Sequence, residues 1–117
     1  MQFKPQLLEP NVFRAKGSLN AAVIEQFQQD LDAWLASATS DALVIDFAMV
    51  DFLDSSTLVV LVDAYKRTRQ ARKQLMLSGV SPELKIIFEL TRLDTIFTIC
   101  ATPDAAFASL ENLPMAA

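Results

Sequence analysis

Apolar residues recur along this chain in two alternating rhythms, one at helical spacing and one in short runs of strand length. From Asn20 onward, Val23, Ile24, Phe27, Leu31, Trp34 and Leu35 fall three or four residues apart. That spacing predicts a helix with one buried face, ending near Ser37-Ala38-Thr39-Ser40-Asp41. Ala42-Leu43-Val44-Ile45-Asp46-Phe47 follows as an almost unbroken apolar run, which suits a strand covered on both faces. A second helical pattern extends from about Ser55 to Lys73, and Leu75-Met76-Leu77-Ser78-Gly79-Val80 reads as another buried strand. Ser81-Pro82-Glu83 and Thr102-Pro103-Asp104 each set a hydroxyl cap, a first-turn proline and a first-turn acid in order, opening helices to about Leu90 and Leu110. Between them Ile96-Phe97-Thr98-Ile99 reads as a short strand. At the beginning, Phe3, Leu7 and Leu8 precede a break at Glu9-Pro10-Asn11, and Val12-Phe13-Arg14-Ala15 leads to Gly17, so two strands joined by a turn are expected.

The resulting order is β-β-α-β-α-β-α-β-α. It predicts a single-domain α/β sandwich over residues 1–117, with four helices on a mostly parallel, mixed sheet of about five strands. Length agrees, because 117 residues suffice for one compact core that buries about two-thirds of the surface of the unfolded chain. A hydrophobic fraction of 52% argues against disorder, and a net charge of −4 argues against a general nucleic-acid binder. There is no histidine, so neither a His-based triad nor a His metal ligand can be built, and no metal or other cofactor is expected. Cys100 is the sole cysteine and has no internal disulfide partner. No stretch approaches the ~20 apolar residues of a membrane span, and Met1 to Pro10 lacks a signal-peptide core, so a soluble cytoplasmic domain without direct membrane insertion is expected.

Asp54-Ser55-Ser56-Thr57 is the most informative segment. Small hydroxyl and acidic residues between a strand and an apolar helix form an ordinary capping set. At 100° per residue, Thr57, Val60, Leu61, Ala64, Thr68 and Ala71 share the arc that would face the sheet. The opposite arc carries Ser55, Val59, Val62, Lys66, Arg69 and Lys73. Half of the ten basic residues (Lys66, Arg67, Arg69, Arg72 and Lys73) fall within eight positions of an acidic chain. An exposed serine beside valines and a positive stripe describes a docking surface. The competing reading has Val59 and Val62 covered by another helix, and the cations solvated at a helix C-terminus whose dipole favours them. A phosphate on Ser55 would meet first-turn N–H groups and add about −1.5 to −2 charge, opposed by Asp54.

These residues resemble the STAS domain, the family of bacterial anti-sigma factor antagonists. The match is carried by Asp46, by Val50-Asp51-Phe52-Leu53-Asp54-Ser55-Ser56-Thr57-Leu58, by Leu77-Ser78-Gly79-Val80-Ser81-Pro82-Glu83-Leu84 and by Phe88-Glu89-Leu90-Thr91-Arg92-Leu93-Asp94-Thr95-Ile96-Phe97. Gly17-Ser18-Leu19-Asn20 is similar to the family's Gly-x-Leu-Asp turn before the first helix. The resemblance implies a partner switch controlled by phosphorylation. The unmodified domain would bind an anti-sigma factor that is also a serine kinase of the histidine-kinase-like ATPase type, phosphorylation would break the complex, and a metal-dependent serine phosphatase would restore it. Ser55 aligns with the acceptor and Ser56 is the fallback; Asp54, Asn20 and Thr57 would support the site, and Val59, Val62, Lys66 and Arg69 would meet the partner. The domain would then be substrate and ligand rather than enzyme. Three positions depart from the family pattern: Thr57 and Arg92 stand where glycine is usual, and Asn20 where aspartate is common. A non-phosphorylated interaction subunit of a transporter or lipid-transport ATPase is the alternative function. Direct nucleotide binding is a third, weakened by the absence of any phosphate-cradling glycine loop. Serine-nucleophile chemistry lacks an activating base, since Lys66 lies three turns from Ser55.

Overall fold

The computed structural model describes residues 11–111. Its elements are β1 (Val12–Leu19), α1 (Ile24–Ser37), β2 (Ala42–Leu53), α2 (Ser55–Gln70), β3 (Gln74–Ser78), α3 (Pro82–Leu90), a 3₁₀ turn (Leu93–Thr95), β4 (Ile99–Cys100) and α4 (Pro103–Glu111). The strands form one sheet in the order β1-β2-β3-β4, and each neighbouring pair is parallel. Among the described residues the sheet therefore has four strands; the additional strand expected around Phe3 to Leu8 lies outside them. No helix among the described residues is long and apolar enough to cross a membrane.

Strand order explains how the helices divide. Crossovers of one hand, taken successively in one direction along a sheet, deliver their helices to the same face. Phe27, Leu31 and Trp34 of α1, Leu61 and Ala64 of α2, and Leu84 and Phe88 of α3 accordingly pack with Leu43, Ile45, Phe47, Leu75 and Leu77 in one core. Alternate strand residues point the other way, where Val12, Val44 and Met76 meet Ala106 of α4. Two covered faces account for the unbroken apolar runs of β2 and β3.

Four sequence expectations are corrected here. β2 does not stop near Phe47 but continues to Leu53. Two register shifts, between Arg14 and Lys16 and between Gly17 and Ser18 of β1, each leave an extra residue on β2. These bulges turn the usual alternation into inward spacing at Phe47, Val50 and Leu53, so the period-two signal is lost although the strand persists. Gly17 is therefore a strand residue at φ 82° rather than part of the turn that begins at Asn20. The last strand begins at Ile99, and Ile96-Phe97-Thr98, expected to start it, is irregular chain that follows the 3₁₀ turn, with Phe97 buried and Ile96 exposed. The helical arc of α2 holds for Thr57, Val60, Leu61, Ala64 and Thr68, all buried, but Ala71 is exposed because the helix ends at Gln70. Arg92, in the place where the resemblance implies glycine, adopts the left-handed φ of 65° that glycine occupies without strain.

The long β2 is pinned from beneath at the bulge. Asp46 is buried, receives the Arg14 guanidinium across the β1–β2 register and accepts a hydrogen bond from Ser78 Oγ at 3.0 Å. Gly79, at φ 68°, crosses this point so closely that a Cβ there would lie 2.6 Å from Asp46 Oδ1 and 2.8 Å from the Ala48 nitrogen. From there β2 runs on, paired with β1, to the turn that starts α2.

Candidate functional site at the N-terminus of α2

β2 ends at Leu53, and Asp54 adopts an extended conformation that caps α2. One of its oxygens, Oδ1, accepts from the Ser56 amide at 3.0 Å, the Thr57 amide at 3.4 Å and the Ser56 hydroxyl; the other, Oδ2, accepts from the Ala21 amide at 3.0 Å. Donors on every side favour the carboxylate, so the Asp54 pKa is lowered from its ordinary value, chiefly by the Ser56 hydroxyl; desolvation opposes this and is the next largest effect, and the Thr57, Ala21 and Ser56 amides each lower it further. Asp54 thereby ties the loop before α1 to the start of α2. Thr57 reinforces the same junction: it is fully buried, and its hydroxyl donates to the Leu19 carbonyl at 2.7 Å. A branched side chain in place of the family's glycine is thus accommodated as a cross-link between the end of β1 and α2.

Of the three hydroxyl residues, the side chains of Ser56 and Thr57 are committed to these contacts. Ser55 is exposed, and its hydroxyl has no hydrogen bond to any described residue. Asn20 does not reach Ser55. Its side-chain oxygen accepts from the Ala22 amide at 2.9 Å and its carbonyl from Val23 at 3.0 Å, which closes the loop whose Ala21 amide reaches Asp54. The expectation that first-turn amides would receive a phosphate also changes, because those of Ser56 and Thr57 already donate to Asp54.

Beside Ser55 a groove of about 510 Å³ runs between α2 and the turn after α3. Val59, Val62 and Lys66 line it with Leu58 and, from across the groove, Leu93. Val59 is 68% exposed and Val62 half-buried, so no other helix covers this face among the described residues. Leu90, at the end of α3, is 80% exposed. Leu58 and Leu93 were not legible in the sequence as groove residues, because they come from different elements that only the fold brings together. The predicted stripe is divided. Arg69 lies on a separate cleft and donates to the Tyr65 hydroxyl at 3.0 Å, while Lys73, beyond the helix, donates to the Ala38 carbonyl at 2.9 Å. Arg67 pairs with Asp32 and Asp63.

The STAS domain family model matches residues 4–106. A Bordetella bronchiseptica protein named as an anti-sigma factor antagonist is 27% identical over 97 residues, covering 83% of each chain. The anti-sigma-B factor antagonist of Listeria monocytogenes is 35% identical over 81 residues, covering 60% of this chain and 71% of its own. A crystal structure of an anti-sigma factor antagonist from Mycobacterium paratuberculosis superposes with a TM-score of 0.77 at 26% identity, over 86% of this chain and 85% of its own.

Proposed function

The chain belongs to the STAS domain family, and from that membership we propose that it is an anti-sigma factor antagonist whose hold on its partner is broken by phosphorylation of Ser55. The observation that carries this reading is the contrast among three adjacent hydroxyls. Ser55 is exposed and uncommitted at the mouth of an apolar groove, whereas Ser56 is bound to Asp54 and Thr57 is buried. An acceptor must present its oxygen to a kinase, and Ser55 alone of the three meets that requirement without breaking a contact. The partner is an anti-sigma factor of the histidine-kinase-like ATPase type that lays an apolar segment over Val59 and Val62, with Lys66 at the far end. A metal-dependent serine phosphatase reverses the modification.

The geometry supports a repulsive switch. A phosphate on Ser55 adds about −1.5 to −2 charge beside an Asp54 already stabilised as a carboxylate. With the Ser56 and Thr57 amides occupied, the helix cannot absorb that charge through them, so it faces the groove and disfavours an apolar partner. Asp54 and Thr57 hold the helix start in place, and Asn20 acts through the loop that reaches Asp54. The domain itself needs no ATP site and performs no catalysis in this scheme.

The test is capture from the host lysate with wild-type and Ser55→Asp chains, followed by incubation of the captured protein with ATP. A histidine-kinase-like ATPase retained by wild type, lost by Ser55→Asp and placing phosphate on Ser55 is the expected result. A partner held equally by both chains, or normal phosphorylation and release of Ser55→Ala, would overturn the assignment. Equal capture of a transporter ATPase would instead identify a constitutive interaction subunit.

A further inference from the structure

At the opposite end of α2 lies a second, polar cleft of about 660 Å³, within the range of small-molecule sites. Arg69, Arg72 and Lys73 converge on it, with Tyr65, Gln74 and Thr98 contributing polar groups from α2, β3 and the chain before β4. We propose that this cleft binds a small phosphorylated molecule.

Helix-end electrostatics do not account for the cluster. A helix C-terminus presents about half a negative charge, which a single cation offsets. Here three cations gather, and the one carboxylate on the wall, Asp41, forms no ion pair with any described residue. The neighbouring Arg67 behaves differently, since it is neutralised by Asp32 and Asp63 on the other side of the helix. Arg72 thus remains wholly available to an anion, while Arg69 and Lys73 are hydrogen-bonded only to neutral oxygens, of Tyr65 and Ala38, and keep an unopposed charge.

Two further observations concern the arginines themselves. Arg69 is held in position, its guanidinium lying 5.7 Å over the Tyr65 ring and donating to the Tyr65 hydroxyl, while Tyr65 packs edge-on against Phe97. An oriented guanidinium fork suits phosphate oxygens. Arg72 occupies a left-handed backbone position at φ 61°, where the chain closes α2 by the Lys73 amide donating to the Thr68 carbonyl at 2.8 Å. Glycine is the usual occupant of such a position because it avoids the strain. The sequence instead places there a guanidinium that makes no hydrogen bond or ion pair with a described residue. Strain retained for an unpartnered charge at the wall of a cleft points to a ligand. Concavity favours a small molecule over a protein surface, and paired guanidiniums with hydroxyl and amide donors favour phosphate.

The test is an amide-shift titration of the full chain with inorganic pyrophosphate at constant ionic strength. Saturable shifts confined to residues 69–75 and 94–98 are expected, with Arg69→Gln and Arg72→Gln each weakening binding about tenfold and Lys66→Gln leaving it unchanged. Arg72→Gly separates binding from folding, because it should melt no lower than wild type and yet bind less tightly. Non-saturating shifts spread over the surface, or saturable binding by Arg72→Gly with the affinity of wild type, would overturn the proposal. Neither outcome depends on the role of Ser55.

Discussion

The two glycines occupy similar backbone conformations in different surroundings, and replacing each with alanine should cost very different amounts. Gly17 at φ 82° has no atom within 4 Å of a built Cβ, so Gly17→Ala incurs backbone strain alone. Left-handed strain of about 1–2 kcal/mol, offset by about 0.4–1 kcal/mol from the less flexible unfolded chain, leaves a net loss of about 1 kcal/mol. Gly79 at φ 68° adds a collision. Its Cβ would meet Asp46 Oδ1 at 2.6 Å and the Ala48 nitrogen and Cα at 2.8 and 3.0 Å. The backbone of a bulged central strand cannot swing aside as a flexible side chain does, and Asp46 is held by Arg14 and Ser78. Overpacking of about 1–3 kcal/mol therefore adds to the strain, for a total of about 3 kcal/mol. Urea unfolding of both variants, with equal m-values, measures the difference. A Gly79→Ala variant within ~0.5 kcal/mol of Gly17→Ala would refute the close approach. A cycle with Asp46→Ala should also recover part of the Gly79→Ala cost, since one of the colliding atoms is removed.

Thr57→Val keeps the buried shape but removes the hydrogen bond to Leu19; because the Asp54 amide still donates to that carbonyl at 3.2 Å, the loss should stay near ~1 kcal/mol in thermal unfolding. A cost above ~3 kcal/mol would show that the carbonyl is left unsatisfied. Arg92→Gly should raise stability by about 0.5–1 kcal/mol, roughly 2–4 °C in Tm, and a lower Tm would contradict the strain assigned to φ 65°. The Asp54 pKa is depressed in the folded chain, so its contribution to stability is present above the unfolded value of 3.8 and is lost as pH falls through the folded value. The stability gap between wild type and Asp54→Asn should accordingly narrow in acid below that window; a gap constant from neutral to acid pH would count against ionisation as its source.

Local chemistry made much of this molecule legible in its sequence. Asp54, Ser81 and Thr102 open helices because a cap acts on amides two or three residues away, and Ser81 and Thr102 do accept from Leu84 at 3.3 Å and Ala105 at 3.0 Å. The unbroken runs of β2 and β3 announced a sheet covered on both faces because burial acts on every successive residue. Asp54 and Ser55 were visible for the same reason, as a short pattern at a strand-to-helix junction. Tertiary structure decided what depends on partners distant in the chain. The extension of β2 to Leu53 rests on bulges against β1, which erase the alternation by which a strand is recognised. The availability of Ser55, against the commitment of Ser56 and Thr57, follows from one rotamer on Asp54 and from the approach of Leu19, 38 residues before Thr57 in the chain. Lys66, Arg69 and Lys73 appeared as one stripe because helical periodicity places them on a common face. Packing divided it: Tyr65, one turn back on the same helix, turned Arg69 toward a different cleft, and the Ala38 carbonyl, 35 residues before Lys73, took its ammonium by a contact that no local pattern encodes.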